Sequence, residues 1–221
     1  MNNPCLIEFV EHANSAAAAS VAADEAATWL GMCALHGHAS VALPGGRSPQ
    51  RMLQALAAAP IDWNRITVTT TDERRVPAHH RLSNMGNLRR AFGGRCGSRA
   101  TFVSLDRRDA HQDVKLPFDL VVLGLGADGH IASLFPGASI DSAPALPLIE
   151  VEPNPIPIEA PVPRRSWSLS ALASTKRTLL LGTGTAKRLA IERALQGQGE
   201  SPLGALLRRA SGVITIHWAE A

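Results

Sequence analysis

The 221-residue chain has no tyrosine, and aromatic residues make up only 4% of it. That scarcity argues against stacking platforms for nucleic-acid bases. It has three cysteines, Cys5, Cys33 and Cys96, odd in number and far apart. No disulfide framework or C-x-x-C zinc pattern follows, so a reducing cytoplasm is the default expectation. No uncharged apolar run approaches the roughly 18 residues of a membrane span. The start, "MNNPCLIEFVEHANS", lacks the basic stretch and apolar core of a secretory signal. No G-x-S-x-G nucleophile elbow occurs, and no His/Cys/Asp spacing suggests a metal site.

Hydrophobic residues make up 45% of the chain, enough to build one large core over residues 1–221. The net charge of +3 is too mild to imply a nucleic-acid partner. Its distribution is uneven, however. Arginines stand at 74, 75, 81, 89, 90, 95 and 99, with no Asp or Glu between Arg74 and Leu105. Such a stretch is either a solvated basic face or a field that attracts a small anion.

Strand-like and helix-like segments alternate. Residues Ala16 to Leu35 place Ala22, Ala26, Trp29, Leu30 and Cys33 on one helical face. "ASVAL", "ITVTT", "FDLVVLGLG", "RTLLLGTG" and "GVITIHW" are apolar or β-branched runs, several ending in glycine-rich or polar turns. Ser48 is expected to cap a helix with Pro49 at its first position. Ser83 or Asn84 is expected to cap another through Phe92, and a further helix runs from Thr185 to Leu195. The proline-rich stretch from Ala143 to Arg165 must be extended or loop. This order predicts an α/β fold with a mainly parallel sheet, whose ligand site lies at the strands' carboxyl ends. The turns "LPGGRSP", "TTTDERRVP" and "LGLGADGH" should therefore converge.

"GLGADG", Gly124 to Gly129, matches a dinucleotide fingerprint by letter. A nucleotide site needs a long helix directly behind it, yet Pro136-Gly137 allow under two turns. The glycines are expected to admit a substrate or to make a tight turn. His130 is expected at the start of a short helix, where the dipole keeps its ring neutral and able to accept a proton. A core or capping histidine is the plainer alternative. Asp128 is expected to orient His130, to bind substrate or to cap that helix. Gly45, Gly46, Arg47 and Ser48 form a generic anion cradle at a helix N-terminus. Asp72 and Arg74 face a sugar phosphate or pair with their neighbours at the surface. Lys187 is a phosphate ligand or a solvated lysine.

"LPGGRSPQRML", "TDERRVPAHHRLSN" and "DLVVLGLGADGHIASLFPG" occur in this order, with "GTGTAK" and "ITIHWAEA" behind them. Together they resemble the 6-phosphogluconolactonase family, related to glucosamine-6-phosphate deaminases. The resemblance implies a Rossmann-like, deaminase/isomerase-type fold with helices on both faces of the sheet. It also implies a cofactor-free lactone hydrolase in the cytoplasm, with a sugar-phosphate lactone as partner, as a monomer or small homo-oligomer. On the same footing His130 takes the general-base position, with Asp128 and Gly126 in the same turn. Gly45, Gly46, Arg47 and Ser48 fall in the phosphate-side loop, Arg74 matches the arginine of D-E-R, and Lys187 matches the late lysine. The family's proline-rich stretch ends in a substrate-binding arginine, which falls on Arg164 or Arg165, with Arg165 taken as the match. The chain departs from the family pattern at Arg75, where an aromatic is usual, and at His79, His80 and Arg81, where acidic residues are common. Rival readings are a deaminase or isomerase with Asp72 as base, and a non-catalytic sugar-phosphate sensor.

Overall fold

The computed structural model describes residues 6–46, 48–137, 146–153 and 161–220. Strand β1 (Ile7–His12) leads into helix α1 (Ser15–Leu35), whose first turn is capped by Asn14 accepting from the Ala17 amide. Next come β2 (Ala39–Leu43), α2 (Gln50–Ala58), β3 (Ile66–Thr70), the short β4 (Asp72–Arg74), α3 (Asn84–Phe92) and β5 (Thr101–Val103). The second half holds β6 (Leu120–Gly124), β7 (Leu148–Val151), β8 (Arg164–Trp167), α4 (Leu169–Ala173) and β9 (Arg177–Thr183). It closes with α5 (Thr185–Leu195), α6 (Pro202–Arg209) and β10 (Val213–Ala219).

Seven strands form one sheet in the order β1-β10-β9-β6-β2-β3-β5, and every pairing in it is parallel. A parallel sheet must be covered on both faces, and the strands obey this residue by residue. Val41, Leu43, Leu120, Val122 and Leu179 pack against α1, α2 and α3 on one face. Ala42, Val121, Leu123 and Leu180 pack with residues of α4, α5 and α6 on the other. Period-two alternation thus splits each apolar run between two cores.

From β2 the chain runs outward through β3 to β5, then returns to lay β6 on the other side of β2. That reversal opens a crevice beyond the carboxyl ends of β2 and β6. A small antiparallel sheet, β4-β8-β7, stands beside it.

The structure corrects several expected details. Helix α2 begins at Gln50 with Pro49 as its cap residue, and Ser48 makes no capping bond. Ser83 does cap α3, accepting from the Gly86 amide. The described part of the proline-rich stretch is extended, contributing β7 and β8. No helix follows Gly129, because the chain turns through Ala132 at φ +50° and bridges back on itself at Ile131 and Leu134.

Glu25 ties α1 to the sheet. One carboxylate oxygen accepts from Arg177 Nε and Nη2, at 2.9 and 2.7 Å, and from Thr215 Oγ1 at 2.9 Å. The other faces His217 Nε2 at 3.1 Å. Burial opposes the carboxylate, but the bonds from His217, Arg177 and Thr215 outweigh it and bring its pKa from 4.5 to about 2. A depressed carboxylate pKa contributes stability that is complete above pH 4.5 and lost as the pH falls towards 2. Glu25→Gln should therefore cost roughly 1.5–3 kcal/mol near neutral pH. It should also flatten the acid limb of a melting-temperature profile, and an unchanged limb would contradict this.

Candidate active site

A cavity of about 360 Å3 occupies the crevice at the strand ends. The three turns meet there: Pro44, Gly45, Gly46 and Ser48 from the first, Asp72 and Arg74 from the second, and Gly124, Leu125, Gly126 and His130 from the third. The turn after β9 adds a fourth wall with Gly182, Thr183 and Lys187. Arg47 lies outside the described residues.

His130 owes its position to Asp128 rather than to a helix. Its Nδ1 is 2.6 Å from Asp128 Oδ1, and the same oxygen accepts the His130 backbone N–H at 3.1 Å. Burial works against the Asp128 carboxylate, but its bonds to His130 hold its pKa below the usual value. An ionised carboxylate can only accept, so Nδ1 carries the hydrogen and Nε2 is left as the proton acceptor. Gly126 makes room for the pair, since a Cβ there would fall on the His130 ring and on Asp128 Oδ1. Gly126→Ala should displace the ring and reduce kcat about 100-fold, with a melting temperature near that of the unmodified chain. Turnover within threefold of the unmodified protein would count against the placement of His130.

Asp72 and Glu73 are buried, which excludes the surface ion-pair reading of "DERR" for both. The Glu73 carboxylate accepts from the backbone amides of Arg74, Asn84 and Met85 at 2.7–2.8 Å, bracing β4 against the start of α3. Burial raises its pKa despite those three bonds. Asp72 Oδ1 accepts from Asn84 Nδ2 at 3.1 Å and Thr71 Oγ1 at 3.3 Å, and Oδ2 accepts from Ser133 Oγ at 2.5 Å. Gly45 permits this arrangement, because a Cβ on it would overlap Asn84.

Cations line the rest of the wall. The Lys187 amine makes no hydrogen bond or ion pair among the described residues, and burial pushes its pKa down. Arg74 donates from Nη1 to the Leu82 carbonyl, and its Nε lies 3.9 Å from Asp72 Oδ2. Helix α2 starts at the wall, where Pro49 and Met52 line the cavity and, among the described residues, no side chain caps its first turn. Its free amides and dipole suit an anion.

The two candidate arginines of β8 are placed differently. Arg164 lines the cavity, whereas Arg165 does not. Successive residues of β8 point to opposite faces. Arg165 is therefore turned away, bound to Glu150 Oε1 through Nε and Nη2 at 3.0 and 2.6 Å, and to the Leu105 carbonyl. Asn84, Ser133 and His217 were not anticipated around the site. Only His217 carried a signal, as a polar residue at an inward position of the apolar run "ITIHW".

Among the described residues no group of three or more His, Cys, Asp and Glu could hold a metal ion. Also among the described residues, no helix is long and apolar enough to cross a membrane.

The chain is similar to known proteins over most of its length. Residues 12–216 match the model of the family described as glucosamine-6-phosphate isomerases/6-phosphogluconolactonase. The chain is 36% identical over 222 residues to a 6-phosphogluconolactonase of Pseudomonas aeruginosa, covering 91% of this chain and 90% of that protein. It is 34% identical over 204 residues to one of Caulobacter vibrioides, covering 85% and 86%. A crystal structure of a 6-phosphogluconolactonase from Shewanella baltica superimposes with a TM-score of 0.84 at 24% identity, covering 99% of both chains. A monomeric glucosamine-6-phosphate deaminase superimposes at 0.78 and 20% identity, covering 96% of this chain and 97% of that one, and so shares the fold.

Proposed function

The chain belongs to the glucosamine-6-phosphate isomerase/6-phosphogluconolactonase family, and from that premise we propose that it hydrolyses 6-phospho-D-glucono-1,5-lactone to 6-phospho-D-gluconate. The observation that carries this reading is the Asp128–His130 pair at the edge of a cavity walled by Arg74, Arg164 and Lys187.

A δ-lactone is an activated ester, so one positioned base and a stabilised oxyanion suffice for its opening. Asp128 accepts the His130 Nδ1 hydrogen and fixes the ring. His130 Nε2 takes a proton from water as the oxygen attacks C1, and the imidazolium then returns a proton to the leaving ring oxygen. General-base help of this kind contributes about 10²–10⁴-fold. Arg74 or a backbone amide of the glycine turns stabilises the tetrahedral oxyanion. Arg164, Lys187, Gly45, Gly46, Ser48 and the α2 amides hold the phosphate. Their binding energy, remote from the reacting carbon, is used to orient the lactone. Side chains and water carry every step, with no cofactor.

The deaminase or isomerase rival needs Asp72 as a free base. Both Asp72 oxygens are occupied by donors, which favours a structural and electrostatic role. The same reading makes this a cytoplasmic enzyme of the pentose phosphate or Entner-Doudoroff route, monomeric or a small homo-oligomer. It works without nucleic-acid or membrane partners. A coupled assay tests it: glucose-6-phosphate dehydrogenase supplies fresh lactone, and 6-phosphogluconate is followed above its spontaneous release. No excess over background, or ammonia release from glucosamine 6-phosphate instead, would defeat the reading.

A further inference from the structure

Phe135 sits just behind the catalytic turn and stays outside the cavity wall, yet both of its ring neighbours belong to that wall. The His130 ring packs against it with centroids 5.0 Å apart and planes tilted by 41°. The Arg164 guanidinium carbon lies 5.3 Å from the centre of the same ring. Among the described residues, the Phe135 ring thus touches both the residue assigned to proton transfer and an arginine assigned to the phosphate.

We propose that Phe135 is a positioning residue that brackets the base and the phosphate grip, fixing the spacing between His130 and Arg164. This rests on the hydrolase reading above and extends it. Asp128 sets the direction of the His130 ring at one edge, through Nδ1, while rotation of the ring plane about that bond is limited by packing. The Phe135 face supplies such packing. An aromatic face also attracts a guanidinium, and the attraction strengthens where water is excluded. Burial and the nearby Arg74 disfavour the Arg164 charge while Asp72 favours it, and the ring face adds an attraction of the second kind. The phosphate is carried on the rotatable C6 arm and C1 is the ring carbonyl, so gripping the phosphate places C1 only if the groups that hold the two keep a fixed spacing. A shared brace converts phosphate binding into correct placement of C1 against His130 Nε2.

Leucine replaces the ring by an apolar side chain with no aromatic face, and tyrosine restores that face. Phe135→Leu should reduce kcat about 5–10-fold and raise KM about 3–10-fold. Phe135→Tyr should return both constants to within about twofold of the unmodified protein. In an Arg164→Gln background, Phe135→Leu should raise KM no further while still reducing kcat. Movement of only one constant, a tyrosine variant as impaired as leucine, or a lower melting temperature with unchanged kinetics would each overturn the bracket. Calorimetric titration with inorganic phosphate separates this inference from the function. Equal affinity of the unmodified and Phe135→Leu proteins overturns the bracket. Absence of lactone turnover by the unmodified protein counts against the hydrolase reading alone.

Discussion

Replacing His130 with alanine should lower kcat for lactone opening by about 10²–10⁴-fold and leave KM within a few fold. The asymmetry follows from where the ring sits. His130 lies at the carboxyl end of β6, bound to Asp128, whereas the cations assigned to the phosphate come from other elements. Losing the imidazole removes an interaction realised in the transition state and spares ground-state binding. Asp128→Asn should produce a smaller loss of the same kind. The amide still bonds to the ring but no longer enforces an Nδ1–H tautomer. A His130→Ala protein with near-normal turnover, measured under pre-steady-state conditions so that product release cannot mask chemistry, would remove the base assignment.

The two adjacent arginines of β8 should separate cleanly. Arg164→Gln raises KM by about 10–100-fold, the range expected for losing one or two charge-assisted bonds to a phosphate. It changes kcat less. Arg165→Gln should leave KM nearly unchanged and instead lower the melting temperature, because it removes the bonds Arg165 makes to Glu150 and to the Leu105 carbonyl. The reverse pattern would return the substrate arginine to the position the sequence resemblance selects. Steady-state kinetics and thermal melts on the same two samples decide between them.

That difference between Arg164 and Arg165 shows where the sequence was legible and where it was not. The β-branched run "ITVTT" became β3 with no boundary error, because all five side chains are β-branched and favour the extended chain. Helix α5, opened by Gly184 and bounded at Leu195, was equally plain. Convergence of the three turns followed from the parallel-sheet rule alone. The facing of Arg164 and Arg165 did not. It depends on the register of β8 against β4 and β7, with Arg164 paired to Arg74 and Val151, and neither the three-residue β4 in the polar "DERR" loop nor β7 in the proline-rich stretch is evident from the sequence. The expected helix after Gly129 failed for a related reason. Its few residues read equally well as a turn, and pairing of Ile131 with Leu125 and Leu134 decided the outcome. His130 is held by Asp128, one of the alternative roles expected of that residue, while the helix end expected to keep its ring neutral is absent. Strand β1 was passed over because six alternating residues at a sheet edge carry little signal. Helix α6 was passed over although Ser201-Pro202 marks its start, with Ser201 accepting from the Gly204 amide.

The central claim is that one cavity grips a phosphate and opens a lactone beside it. Its most direct test compares ring opening of 6-phospho-D-glucono-1,5-lactone with that of D-glucono-1,5-lactone, followed by NMR in one buffer with and without the protein. The account predicts that the phosphorylated lactone opens far above its spontaneous rate. It also predicts a kcat/KM about 10²–10⁴-fold higher than for the sugar without phosphate, the factor that two or three charge-assisted contacts supply. Opening of the phosphorylated lactone at the spontaneous rate, or equal acceleration of both, would contradict it.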